Sequence, residues 1–181
     1  MTNIAIISCS LHPQSRSYVL AQQAHTLLQA RGVDSTLTDL RDMNIPMCDA
    51  TDAYDHPDSV AIKEIINEAD GILMAFPIYT YDGNAAGKNL MEIAGRAFTD
   101  KVVGFMCAAG GQRSFMSAMG FANNLMLDFR VIFVPRYVYA VGSDFGDDRE
   151  QTMHIASDKI MDRMRELVEE TVRIASALKK D

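Results

Sequence analysis

Residues 3–17 read Asn-Ile-Ala-Ile-Ile-Ser-Cys-Ser-Leu-His-Pro-Gln-Ser-Arg-Ser, and this stretch sets the pattern for the rest of the chain. Residues 3–7 are short, apolar and rich in β-branched side chains, which predicts a strand. From Tyr18 onward the apolar residues recur at helical spacing, at Val19, Leu20, Ala24, Leu27 and Leu28. We therefore expect a strand to enter residues 8–17 and a helix to leave them.

Residues 8–17, the first loop, have the composition of a phosphate-binding loop. They contain four hydroxyl side chains: Ser8, Ser10, Ser15 and Ser17. A helix N-terminus presents unpaired backbone N–H groups and the positive end of the helix dipole, both of which favour a bound phosphate. Serines before a helix more often serve as helix caps, and that alternative stays open for each of the four. The patterns G-x-G-x-x-G and G-x-x-x-x-G-K-[ST] are absent, which argues against a dinucleotide-binding Rossmann domain and a P-loop NTPase and favours a mononucleotide.

Length, composition and charge narrow the class of protein. The 181 residues, with 48% hydrophobic content, predict one domain over residues 1–181. No stretch approaches the roughly 20 apolar residues of a membrane span and no basic segment precedes the first strand, so we expect a cytoplasmic protein that does not bind a membrane. The net charge of −7 and the scattered lysines and arginines argue against a nucleic-acid partner. Three cysteines predict reduced thiols, and the four separated histidines predict no metal site.

Strand-like and helix-like segments alternate along the chain. The predicted strands are residues 3–7, 33–40, 71–76, 101–108, and 131–134 continued by 136–141 beyond Pro135. Helices are expected between these strands. One is capped by Asp58 or Ser59 and ends near Ala69, one runs through residues 90–94, and one spans residues 114–129. A long last helix is expected from Asp147, with apolar positions that include Met153, Ala156, Ile160 and Met164. Gly32 is expected to end the first helix and Pro77 to stop the third strand.

This alternation predicts a parallel sheet with helices on both faces. The second strand is the only strongly polar one, and the fifth contains a proline, so these two are expected at the edges. The flavodoxin-like fold, an α/β three-layer sandwich around a five-stranded parallel sheet of order 2-1-3-4-5, places them there. Ligands of such sheets lie beyond the carboxyl ends of the first and third strands.

The loops after the first, third and fourth strands are expected to meet at that point. The second loop, residues 77–84, reads Pro-Ile-Tyr-Thr-Tyr-Asp-Gly-Asn and offers backbone donors, a hydroxyl and two aromatic rings. The third loop, residues 109–113, reads Ala-Gly-Gly-Gln-Arg, and its glycines permit close approach of a flat ligand. Taken singly, Tyr79 and Tyr81 are typical of packing residues, and Gly110-Gly111 is typical of a turn.

Together these segments resemble the NADPH-dependent FMN reductase family of flavodoxin-fold proteins, over almost the whole chain up to the last helix. Residues 9–17 align with the family's first motif, Gly-Ser-x-Arg-x-x-Ser-x-Asn, and their Ser-Arg-Ser ending resembles the alkanesulfonate-linked flavin reductases. Residues 77–80 and 86–89 match the second motif, Pro-Glu-Tyr-Asn followed by Pro-Gly and Lys-Asn, and residues 110–111 match a Gly-Gly after the fourth strand. His12 stands where Arg is common, Ile78 where Glu is common, and Ser17 where Asn is common. A loop without that Arg must rely more on hydroxyls, backbone amides and Arg16, which predicts weaker FMN binding.

The resemblance implies an NAD(P)H-dependent FMN reductase that transfers a hydride from a nicotinamide to FMN and on to a second acceptor, with FMN and NADPH as cofactors. The FMN-binding residues it implies are Ser8, Ser10, His12, Ser15, Arg16 and Ser17 in the first loop, Pro77, Ile78, Tyr79 and Thr80 in the second, and Ala109, Gly110 and Gly111 in the third. Because the flavin does the redox chemistry, no catalytic side chain is expected, and Cys9 and Cys107 are expected to be inert buried thiols. The family also implies a homodimer or homotetramer. The alternatives are an FMN-bound quinone or azo-type reductase and a flavodoxin-like electron carrier without its own substrate.

Overall fold

A mostly parallel sheet organises the molecule in the computed structural model, which describes residues 1–179. Its strands are β1 (Asn3–Ser8), β2 (Asp34–Asp39), β3 (Gly71–Tyr79), β4 (Asp82–Gly83), β5 (Val102–Ala109), β6 (Ile132–Phe133) and β7 (Val138–Val141). The order is β2-β1-β3-β5-β6, with β7 also on β5 and β4 antiparallel to β3. The predicted fold class is confirmed, and the strand order differs from the prediction only in detail. The short β4 adds a strand, and β6 and β7 divide the last position where Pro135 and the positive φ of Arg136 interrupt it.

In the part of the chain that the structure describes, five α-helices cover the two faces of the sheet. They are α1 (Arg16–Gln29), α2 (Pro57–Glu68), α3 (Ala85–Ala94), α4 (Ala118–Phe129) and α5 (Asp158–Leu178). Along β1, Ile4 and Ile6 pack with α1 and α5 on one face, whereas Ala5 and Ile7 pack with α2, α3 and α4 on the other. This alternation follows from the two-residue period of a strand and produces a core on each side. Within residues 1–179, no helix has the length and apolar character needed to span a membrane.

The end of α1 is the turn that the sequence predicts. The Gly32 N–H donates to Gln29 O at 3.0 Å and the Val33 N–H donates to Leu28 O at 3.1 Å, which is the Schellman arrangement. Gly32 has φ +67°, and glycine adopts this left-handed conformation without the steric cost that a Cβ brings. The turn leads directly into β2 at the sheet edge.

Pro77 does not stop β3, contrary to the prediction; the strand continues to Tyr79, and Pro77 pairs with Ala108 of β5. On the β1 side, the ladder ends where the Cys9 N–H donates to Ala75 O at 2.8 Å. Alternate residues of a strand face the same neighbour, so Pro77 faces the side where β1 has already ended. Its missing N–H therefore breaks no ladder bond, and the strand carries its next residues out toward the loops.

The predicted starts of the first, second and fourth helices are wrong. The first helix begins at Arg16 rather than Tyr18, and the second at Pro57, where the ring of His56 rather than Asp58 or Ser59 provides the cap. Proline is favoured at the first helical position because the N–H it lacks has no helical partner there. The fourth helix is predicted from residue 114, but Gln112–Ser117 forms a 3-10 helix and the α-helix begins only at Ala118.

The largest error concerns residues 145–155, expected to begin the last helix at Asp147. These residues form an antiparallel hairpin of β8 (Phe145–Gly146) and β9 (His154–Ile155), here called the β8–β9 hairpin, and α5 begins at Asp158. Asp147 and Arg149 have φ of +48° and +69°, which no α-helix contains. Ser157 then caps α5 by accepting from the Ile160 N–H at 3.4 Å. Met153 and Ala156 only happen to fit the helical spacing.

Candidate functional site

The three predicted loops meet at the carboxyl edge of the sheet around a cavity of about 360 Å³. Its lining residues are Ser10, Ser15, Arg16 and Ser17 of the first loop, Pro77, Ile78, Tyr79 and Thr80 of the second, Ala108, Ala109 and Gly110 at the end of β5, and Arg149. Three predicted site residues, Ser8, His12 and Gly111, do not line it. Two lining residues, Ala108 and Arg149, are absent from the prediction.

A second cavity of about 390 Å³ continues the first along the third loop. Both are lined by Ile78, Thr80 and Gly110, so they form one groove, and Gly111 lines the second part. A Cβ added at Gly110 or Gly111 would meet no atom within 4 Å, which leaves open space above this backbone. The groove thus suits an elongated ligand with a polar group beside the first loop and a flat group beside the third.

The serines of the first loop play different parts. Ser15 caps α1 by accepting from the Tyr18 N–H at 3.1 Å, and Ser10 Oγ accepts from the His12 N–H at 3.3 Å. For Ser15 the capping alternative is therefore confirmed. Ser17 is 1% exposed and its hydroxyl has no hydrogen-bond partner among the described residues, and the same holds for the fully buried Ser8.

An unpartnered buried hydroxyl costs about 1–3 kcal/mol of stability, so the state of Ser17 needs an explanation. Ser17 lies in the first turn of α1 and lines the cavity. The first N–H groups of a helix lack helical partners, and here only that of Tyr18 is satisfied by the cap, which leaves those of Arg16 and Ser17. A bound anion would supply acceptors to the hydroxyl and to both amides at once.

The guanidinium of Arg16 is already engaged. Its Nε donates to Asp148 Oδ1 at 2.7 Å and its Nη2 to Asp148 Oδ2 at 2.5 Å, a bidentate pair that joins the first loop to the β8–β9 hairpin. The hydrogen bonds from Arg16 lower the pKa of Asp148, and those to Asp148 raise the pKa of Arg16. A Cβ on Gly142 would lie 2.6 Å from Arg16 Nη2, so a larger residue there would make the guanidinium shift.

Two further arginines brace the first loop from opposite sides. Arg41, held by Asp39 at 2.8 Å, donates to Pro13 O at 2.7 Å. Arg149, from the β8–β9 hairpin, donates through Nη1 to Gln14 O at 2.5 Å. The ring of His12 turns along the loop, because its Nδ1 accepts from the Gln14 N–H at 3.0 Å. The loop is thus fixed in place before any ligand arrives.

The second loop carries backbone strain beside the cavity. Tyr79 pairs with Asp82, so Thr80 and Tyr81 form a two-residue hairpin turn with φ of +52° and +59°. Such turns normally contain Asn-Gly, since side chains with a Cβ, and β-branched ones above all, are unfavourable at positive φ. Tyr79 and Tyr81 are 53% and 69% exposed, so the interpretation as packing residues is wrong. Strain of this kind concentrates at functional sites.

Asn84, the last residue of the second loop, has a structural role that the sequence does not predict. Its Nδ2 donates to Cys9 O at 2.7 Å, which joins the end of the second loop to the start of the first. Cys9 itself is fully buried, as is Cys107, and burial raises the pKa of both thiols above its usual range. The prediction of inert thiols is consistent with this burial, because a thiol with a raised pKa supplies little thiolate.

Comparison with known proteins agrees with this geometry. Residues 2–146 match the family model described as NADPH-dependent FMN reductase. An FMN reductase (NADPH) of Pseudomonas putida is 32% identical over 111 residues, which cover 60% of this chain and 55% of that protein. The chain thus matches little more than half the length of this relative.

Solved structures share the fold at lower identity. FerB, a flavoenzyme NAD(P)H:(acceptor) oxidoreductase from Paracoccus denitrificans, superimposes with a TM-score of 0.77 at 17% identity, covering 98% of each chain. The apo form of an NADH:FMN oxidoreductase (EMOB) gives a TM-score of 0.76 at 17% identity, covering 100% of this chain and 92% of the other. The family match ends at residue 146, so most of the β8–β9 hairpin and all of α5 lie outside it.

Proposed function

The chain belongs to the NADPH-dependent FMN reductase family, and from that premise we propose that it is an NAD(P)H-dependent flavin oxidoreductase. It transfers a hydride from a nicotinamide to FMN, and a flavin or small-molecule acceptor receives the electrons. The observation that carries the proposal is the buried Ser17 hydroxyl, which has no partner among the described residues and lines the cavity at the N-terminus of α1. This hydroxyl supports an anion site at the sheet edge where flavodoxin-like folds bind a mononucleotide.

The residues of the groove fit FMN. Its phosphate would accept hydrogen bonds from the hydroxyls of Ser10, Ser15 and Ser17 and from the first N–H groups of α1, and its ring would lie along Ile78–Thr80 and Ala109–Gly111. Ser8 is fully buried outside the cavity, and the His12 ring bonds within the first loop, so neither is assigned to the phosphate. Arg16 holds the β8–β9 hairpin instead of facing the phosphate.

Bound FMN supplies the hydride-accepting chemistry, and the chain supplies position and electrostatics. The open backbone at Gly110 and Gly111 allows the ring to approach closely. The exposed rings of Tyr79 and Tyr81 stand beside the same part of the groove and offer flat surfaces to the nicotinamide or to the acceptor. NADPH is the donor that the family implies.

The activity is tested by following NADPH oxidation with the purified chain, with and without added FMN. We expect turnover well above the reaction of free flavin, and NADH in a parallel assay measures the preference between the two donors. Without turnover at saturating FMN and either nicotinamide, the enzyme assignment fails and the electron-carrier alternative gains. Sustained turnover of quinones or azo dyes with FMN that stays bound would favour the alternative of a quinone or azo-type reductase.

The domain organisation, the oligomeric state and the cellular compartment of the protein are also part of this proposal. We take residues 1–181 as one flavin-binding domain, of which 180–181 lie outside the described residues. The exposed apolar side chains beside the groove, Leu11, Tyr79, Tyr81, Phe115 and Met116, support a homodimer or homotetramer. The free cysteines are consistent with the cytoplasm, and the net charge of −7 argues against nucleic acid as a partner. Light scattering that finds only a 20.0 kDa species at micromolar concentration would exclude the oligomer.

A further inference from the structure

The two arginines that line the cavity differ in their charge partners. Arg16 forms the bidentate pair with Asp148, so its positive charge is balanced within the protein. Arg149 forms no ion pair within residues 1–179, although its charge helps to lower the pKa of the neighbouring Asp148. Arg149 is thus the cation at this cavity whose charge remains for a ligand.

The donors of Arg149 are only partly used. Its Nη1 donates to Gln14 O at 2.5 Å, which fixes the side chain across the first loop. A guanidinium carries five N–H groups in a rigid plane, so this single carbonyl leaves most of them for another acceptor. The residue also lines the cavity together with Ser10, Ser15 and Ser17.

Arg149 also lies beside the position where the family's first motif commonly has an arginine. His12 occupies that position here, and Arg149 Nη1 lies 3.5 Å from His12 Nδ1. A neutral imidazole is a weaker partner for phosphate than a guanidinium, so the loop itself lacks the expected cation. The cation reaches the same place from a different part of the chain.

We infer that Arg149 binds the phosphate of FMN, in place of an arginine in the first loop. Arg16 and Asp148 are then positioning residues, because they hold the β8–β9 hairpin where Arg149 reaches the phosphate. This inference rests on the proposed function and extends it to Arg149, which lies outside the family-matched residues. The ligand chemistry is a phosphate monoester dianion, which a guanidinium recognises through paired hydrogen bonds.

The inference is tested with Arg149→Gln, which removes the charge and leaves a shorter, neutral amide in place of the guanidinium. The affinities of wild type and variant for FMN and for riboflavin, which lacks the phosphate, are measured by flavin fluorescence quenching. We expect FMN binding to weaken about ten- to a hundredfold, the range for lost hydrogen bonds to a charged group, and riboflavin binding to stay the same. Arg149→Lys keeps the charge without the planar fork, so it should restore part of the lost FMN affinity.

The matched control is Arg165→Gln, which removes the same charge from an exposed position on α5. It should leave both affinities unchanged, which excludes a general effect of net charge. Raising the salt concentration should weaken FMN binding to wild type more steeply than to Arg149→Gln, because the variant lacks the charge that salt screens. Thermal melts of all variants check that the fold is kept.

The outcomes separate this inference from the proposed function. If wild type binds FMN more tightly than riboflavin and the ratio of the two affinities is the same in Arg149→Gln, the role of Arg149 is overturned and the FMN site is kept. If Arg149→Gln loses the same factor of affinity for FMN and for riboflavin, the role of Arg149 is also overturned, because Arg149 would then only brace the first loop. Wild type that does not distinguish FMN from riboflavin overturns the phosphate site itself, and the inference with it.

Discussion

The two edges of the sheet differ in how their polar groups are bonded. At the amino edge, Lys101 Nζ donates to Asn67 O at 2.7 Å and to Ala69 O. Asp70 at the same edge accepts from the Asn3 N–H and from Lys179 Nζ, each at 2.8 Å. At the carboxyl edge, the buried Ser17 hydroxyl has no partner among the described residues, and the neighbouring turn at Thr80 and Tyr81 is held at positive φ. These groups at the amino edge are thus satisfied within the chain, whereas the carboxyl edge has a buried hydroxyl without a partner among the described residues.

The volume of a cavity does not reveal this difference. A cavity of about 600 Å³ lies at the amino side, near the C-terminal ends of α2, α3 and α4, and exceeds either part of the candidate groove, of about 360 and 390 Å³. In the larger cavity, Lys63 already donates to Tyr54 O at 2.7 Å. The buried Ser17 hydroxyl that lines the cavity beside the first loop, rather than cavity volume, therefore favours that cavity as the candidate site.

The largest expected effect comes from filling each cavity with one bulky side chain. Gly110→Trp places an indole where an added Cβ meets no protein atom, and Gly110 does not have positive φ, so the fold should be kept. The side chain would occupy the groove that we assign to FMN and should weaken FMN binding by about a hundredfold or more, which is about 2.7 kcal/mol. Fluorescence quenching by the protein measures the affinity.

Asn67→Trp is the matched variant at the amino edge, because Asn67 is exposed and lines the larger cavity. It should leave FMN affinity unchanged. The contrast between the two edges breaks down if Asn67→Trp weakens FMN binding and Gly110→Trp does not.

The next effect separates the anion contact from helix capping within the first loop. Ser17→Ala removes an unpartnered hydroxyl and should weaken FMN binding about ten- to a hundredfold, the equivalent of about 1.5–3 kcal/mol. The variant should melt no lower than wild type, since no hydrogen bond of the free protein is lost. Ser15→Ala removes the cap on the Tyr18 N–H and should lower stability by about 1 kcal/mol as well as FMN affinity. Ser17→Ala with full FMN affinity would mean that its hydroxyl has no part in the site.

The smallest effect is on stability and concerns the amino edge. Burial alone would raise the pKa of Asp70, but the hydrogen bonds from Lys179 and the Asn3 N–H outweigh it and lower the pKa below its ordinary 3.8. A carboxylate with a lowered folded-state pKa stabilises the protein at neutral pH, and this contribution is lost as the pH falls below 3.8 through the folded-state value.

Asp70→Asn should therefore lower the free energy of unfolding by about 1–2 kcal/mol at neutral pH, and the difference from wild type should shrink in strong acid. Denaturant titrations at several pH values measure this, with the exposed Asp162→Asn as a control. FMN affinity should not change. A deficit that is the same at all pH values would contradict the assignment to the Asp70 carboxylate.

Local chemistry was enough to predict one part of this molecule and not another. The strand β1, the first loop and the turn at Gly32 are predicted by the residue types within each short segment. The alternation of such segments then predicts the fold class and the meeting of the three loops at one edge of the sheet. Met153 and Ala156 continue the spacing of α5 backward, so the spacing predicts helix where the β8–β9 hairpin lies, and the residue type of Arg149 does not signal its positive φ. Arg149 was missed for the same reason, since its place beside Gln14 depends on contacts between residues far apart in the sequence.

The central claim is that the carboxyl edge binds FMN through its phosphate. The most direct test is calorimetric titration of the wild-type protein with FMN and with riboflavin under the same conditions. The account predicts that FMN binds at least about a hundredfold more tightly, because a phosphate gains several charge-assisted hydrogen bonds at the first loop. Equal affinity for the two flavins would contradict it.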